Sequence, residues 1–94
     1  MPLDLGTTVV TAGVDEWLRR NNAIPSFALL PYINRHRNGD WGNLCAEDTK
    51  TNEHAVKHGE RVMSVYNDGP YDKKIWIITE WDRSVTTILF PSEY

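Results

Sequence analysis

The hydrophobic spacing of this 94-residue chain changes once, near Gly59. Before that point apolar residues recur at the three- and four-residue intervals of helices. After it they alternate with polar residues in the two-residue period of strands. No linker rich in Pro, Gly or Ser separates the halves, so both patterns belong to one domain spanning 1–94. A helical half joined directly to a strand half describes the α+β class. The expectation is three helical segments packed on a three-stranded antiparallel meander, with β-branched Thr7 to Thr11 as a candidate fourth strand.

Local signals place the elements. Thr11 offers an N-cap hydroxyl for a first helix from Ala12 or Gly13 to Arg20. Asp15 and Glu16 in its first turn and Arg19 and Arg20 in its last complement the helix dipole, and Val14, Trp17 and Leu18 form its apolar side. Ser26 is placed to cap a second helix from Phe27 to about Arg37, with Phe27, Leu30, Ile33 and Asn34 spaced for one face. Pro31 removes a backbone bond within this stretch, which predicts either a kink or a helix that begins at Pro31. Gly39-Asp40-Trp41-Gly42 breaks the chain, and a third helix from Ala46 to His58 stops at Gly59. Strands are expected at Arg61 to Tyr66, Lys74 to Glu80 and Val85 to Phe90. They are joined by the loop Asn67 to Asp72 and a tight turn at Trp81 to Ser84.

Charge and composition remove several function classes. The net charge is −3, and Lys and Arg occur at most in adjacent pairs, which argues against nonspecific coating of nucleic acid. The apolar runs fall far short of the roughly 20 residues that span a bilayer, so no membrane partner is expected. Met1-Pro2-Leu3-Asp4 lacks the basic and apolar regions of a secretory signal. Cys45 has no second cysteine to pair with, which fits a reducing, cytoplasmic setting.

Several segments form an ordered string: Arg35-His36-Arg37-Asn38-Gly39-Asp40-Trp41-Gly42, then Glu47-Asp48 with Asn52, Ser64-Val65-Tyr66, and the run from Trp76 to Pro91. Over about residues 35–94 this string resembles a family of small plasmid-related proteins carried by plasmids, phages and other mobile elements. The resemblance implies an accessory protein that binds a host or element-encoded protein, for example an inhibitor of a bacterial defence system of the anti-CRISPR or anti-restriction type. The order of helices followed by a small sheet is also similar to that of barnase, the colicin ribonucleases and RelE. That likeness implies a competing reading, a metal-independent endoribonuclease acting on RNA.

Each reading has its residues. Metal-independent RNA cleavage needs a base near the 2′-hydroxyl, an acid at the leaving oxygen and cations beside the phosphate. His36, Arg61, Glu80 and Arg83 are the candidates for those roles. The same turn residues suit a structural task better, with Asp82 and Arg83 holding the turn and Glu80 solvated or paired to Lys73 or Lys74. Such surface pairs contribute under about 1 kcal/mol. The binding reading uses the sheet edge and the turn Trp81, Asp82, Arg83 and Ser84, with Trp41 as either an exposed anchor or a core plug. His54 and His58 stand four residues apart on the third helix and can chelate a cation, yet two ligands do not make a site. No metal and no other cofactor is expected.

Overall fold

The computed structural model describes residues 2–94. The strands and α-helices follow in the order β1 (Thr7–Val10), α1 (Ala12–Arg20), α2 (Pro25–Arg37), α3 (Ala46–His58), β2 (Val62–Tyr66), β3 (Ile75–Thr79) and β4 (Val85–Leu89). The fold is α+β, and the fourth strand is present. The sheet order is β1-β4-β3-β2, with β2, β3 and β4 as an antiparallel meander and β1 parallel to β4.

The first and third helices begin and end as their sequences dictate. Thr11 Oγ1 accepts the Val14 N–H at 3.3 Å, and Asp15 pairs with Arg19 one turn on. Gly59 ends α3 in the left-handed region at φ 66°, where a side chain would be strained.

The second helix differs from expectation in two ways. It starts at Pro25 with Ile24 as N-cap, so Ser26 lies in the first turn instead of capping it. It is continuous through Pro31, so of the two readings of that residue the start at Pro31 is excluded. The carbonyl that Pro31 cannot serve belongs to Phe27, on the exposed side, where water is available to it. The buried stripe is also different: Leu29 and His36, seven residues apart, face the core, while Phe27 is 72% exposed and Leu30 47%.

Strand alternation selects the inner face of the sheet. Val62, Ser64 and Tyr66 of β2, Ile75, Ile77 and Thr79 of β3, and Thr86 and Ile88 of β4 are all buried. Val14, Leu18, Leu29, Tyr66, Ile75, Ile77 and Ile88 form the main core, and Leu3, Leu5, Trp41, Ala55 and Val62 form a second one beside it. Burying each large apolar side chain contributes about 1.5–3 kcal/mol. Trp41 is only 7% exposed, so it is the core plug and not an exposed anchor. Gly42 follows it at φ +72°, and a Cβ there would run into the Val65 carbonyl and the Tyr66 ring.

The two edges of the sheet are treated differently. On β2, the Asn52 side chain donates to the Met63 carbonyl at 2.5 Å and accepts the Met63 N–H at 3.1 Å. Val65 donates its N–H to the Trp41 carbonyl at 3.1 Å and accepts the Asn43 N–H at 2.6 Å. Among the described residues the edge of β1 has no such cover. Thr7 and Thr11 donate to the Ser84 and Ile88 carbonyls of the β4 side. Ladder alternation therefore turns the N–H and C=O of Thr8 and Val10 outward, where nothing among the described residues pairs with them.

Candidate functional site

The turn between β3 and β4 is built from short-range bonds. Arg83 N–H donates to the Glu80 carbonyl at 2.9 Å, and Glu80 N–H to the Val85 carbonyl at 3.0 Å. Asp82 Oδ1 accepts both the Ser84 hydroxyl at 2.6 Å and the Ser84 N–H at 3.1 Å. Those two bonds, the hydroxyl's first, hold the Asp82 carboxyl below its ordinary pKa.

Arg83 ties this turn to the end of α3. Its guanidinium donates to the carbonyls of Glu60 at 2.6 Å, Ala55 at 3.0 Å and Glu80 at 3.1 Å. Ala55 lies in the last turn of α3, and a cation beside that end of a helix complements its dipole. Gly6, at φ +60°, packs against the Arg83 and Ser84 carbonyls so closely that no Cβ fits. The turn is thereby held by β3, β4, α3 and the N-terminal segment. On it stands Trp81, 66% exposed.

His36 occupies the opposite kind of environment. It has no exposed surface, and both ring nitrogens are bonded: Nδ1 to Ser64 Oγ at 2.5 Å and Nε2 to Thr79 Oγ1 at 2.8 Å. Thr79 Oγ1 lies 2.8 Å from Thr86 Oγ1, which donates to the Leu5 carbonyl at 2.7 Å. A carbonyl only accepts, so this last bond orients the whole chain. Thr86 gives its proton to Leu5, Thr79 gives its own to Thr86, His36 donates from Nε2 to Thr79, and Ser64 donates to Nδ1. The imidazole is neutral and protonated on Nε2. Burial, with the Arg83 charge second, lowers its pKa to about 4.

The four residues considered for RNA cleavage do not share a surface. His36 is a core residue whose nitrogens are committed, and the Arg83 guanidinium is committed to three carbonyls. Arg61 is exposed, donates to the Tyr94 hydroxyl at 2.8 Å and lies over the Tyr94 ring. Its cleft is lined by Leu44, Asp48, Asn52, Met63 and Tyr94 and includes none of the other three. Glu80 is half-buried at the end of β3. Of the residues considered for binding, the turn brings Trp81, Asp82, Arg83 and Ser84 together, and Trp41 lies apart in the core.

His54 and His58 stack at 4.1 Å, with His54 Nδ1 3.2 Å from Glu60 Oε1. Among the described residues no group of three or more His, Cys, Asp or Glu is placed to hold a metal. No helix among them is long and apolar enough to cross a membrane.

Sequence reasoning did not identify the Ser64–His36–Thr79–Thr86 chain, Asn52 as an edge cover, or the open β1 edge. The first had a readable signal, since Ser64, Thr79 and Thr86 fall on the same alternation as buried Val62, Ile77 and Ile88. No protein-family model, curated protein or solved structure matches this chain.

Proposed function

We propose that this chain acts by binding another protein, encoded by its host or by the mobile element that carries it, and that Trp81 anchors the contact. The resemblance noted in the sequence suggests the setting, inhibition of a bacterial defence system. The observation that supports the reading is a tryptophan 66% exposed on a turn that hydrogen bonds fix from several sides. A large aromatic on a rigid support buries much apolar area on binding and loses little conformational freedom, which is why such residues dominate interface energetics. The ribonuclease reading has no comparable support, because His36 has no exposed atom from which to exchange a proton with substrate.

The test is phage plating or plasmid establishment in a bacterium that carries a CRISPR–Cas or restriction system, with and without expression of the protein. Wild type is expected to protect the invading element, and Trp81→Ala to lose that protection while melting at the wild-type temperature. A Trp81→Ala variant that protects as well as wild type overturns the assignment.

A further inference from the structure

We infer that β1 is the joining edge of a symmetric dimer, in which two copies of this chain pair their β1 strands antiparallel into one eight-stranded sheet. An open edge is a template for another strand, and proteins ordinarily blunt it with charge, proline or a covering segment. This chain covers β2 with Asn52 and the Trp41–Asn43 segment. Among the described residues nothing covers β1, whose sequence Thr-Thr-Val-Val has neither charge nor proline.

The edge is complementary to itself. The outward groups belong to Thr8 and Val10, so an antiparallel copy centred on Val9 sets Thr8 opposite Val10 of the second copy, and Val10 opposite its Thr8. Each of these pairs exchanges two backbone bonds, four in all. Val9, 40% exposed, then meets Val9 of the second copy on the twofold axis.

The surface beside the edge also suits a second copy. Between β1 and α2 lies a groove of about 390 Å³, lined mainly by Thr8, Val10, Pro25, Leu29, Leu30 and Ile33. Along the same helix stand Phe27, 72% exposed, and Leu30, 47% exposed. Leu30 both lines the groove and stands exposed, so hollow and protrusion meet there, as a twofold contact requires. No charged residue occurs in β1 or from Asn21 to Asn34, so pairing this strip with its own copy brings no like charges together and buries none unpaired. Pairing the β1 edges brings the two α2 helices toward each other on one face of the joined sheet. A stable dimer buries roughly 800 Å² per copy, more than a four-residue strand supplies, so the α2 strip must contribute.

The experiment is sedimentation equilibrium of the purified chain from low micromolar to near-millimolar concentration. It is joined to amide hydrogen exchange at both ends of that range. Wild type is expected to pass from monomer to dimer, with exchange at Thr8 and Val10 slowing as it does. Val9→Lys places two ammonium groups face to face and is expected to remain monomeric with wild-type melting. Phe27→Ser is expected to weaken the dimer about tenfold or more. Trp81→Ala should dimerise as wild type does, which separates this inference from the proposed function. A wild type that stays monomeric throughout overturns it, even if another protein's strand is found on β1. A dimer unaffected by Val9→Lys, or one in which Thr8 and Val10 exchange as fast as in the monomer, also overturns it.

Discussion

Because His36 is buried neutral, acid should destabilise this protein well above the pH at which its carboxylates are protonated. Folding lowers the His36 pKa from 6.5 to about 4. Above pH 6.5 the imidazole is neutral in both states and contributes no pH dependence. Between pH 6.5 and about 4 the unfolded chain binds a proton that the folded chain does not, so stability falls as pH falls. The slope is about 1.4 kcal/mol per pH unit, and the total loss levels off near 3 kcal/mol below the folded pKa. Asp40 and Asp82, both held below their ordinary 3.8, lose their contributions only as pH falls through and below that value. The interval from pH 6.5 to 4.5 therefore isolates the histidine. Urea unfolding at half-unit steps reads the slope directly, and His36→Gln, which keeps one donor and one acceptor, should remove it. Nitrogen NMR should show Nε2 carrying the proton at pH 7. A flat profile across this interval, or a slope that survives His36→Gln, refutes the assignment of a buried neutral imidazole.

Other substitutions test the supports of the turn and core. Arg83→Ala removes the donor to three carbonyls and is expected to cost about 1.5–3 kcal/mol by denaturant unfolding, with Arg83→Lys recovering only part of it. Gly42→Ala places a Cβ against the Val65 carbonyl at a left-handed φ, and should lower stability by roughly 1–3 kcal/mol or more in a thermal melt. Asn52→Leu leaves both Met63 backbone groups without partners and uncovers β2. It should destabilise by about 1–3 kcal/mol and raise light scattering at high concentration.

What was legible in the sequence was whatever short-range chemistry decides. The Thr11 cap, the Gly59 stop, the strand alternation after Arg61 and the turn at Trp81 all depend on neighbours a few residues away. The inward face of α2 is not legible from spacing alone, because Phe27, Leu30, Ile33 and Leu29, Ile33, His36 are both helical spacings. What makes the second stripe the inward one lies far along the chain: the Ser64 and Thr79 hydroxyls, 28 and 43 residues from His36, and the strand side chains around Leu29. The candidate site divides along the same line. Trp81 at the tip of a tight turn was legible as exposed. Arg83, by contrast, took its role from carbonyls at Ala55 and Glu60 that only the assembled fold brings near. The parallel placement of β1 against β4 likewise depends on the whole intervening chain.

The proposed role places function on the Trp81 surface and not in chemistry at Glu80. A side-by-side comparison of Trp81→Ala and Glu80→Gln in the defence-carrying host tests it most directly. The purified proteins would be incubated with RNA in chelator alongside. Trp81→Ala is expected to abolish protection, Glu80→Gln to retain it, and neither variant nor wild type to cleave RNA. Chelator-insensitive cleavage by wild type that Glu80→Gln abolishes, with Trp81→Ala still protecting, would contradict it.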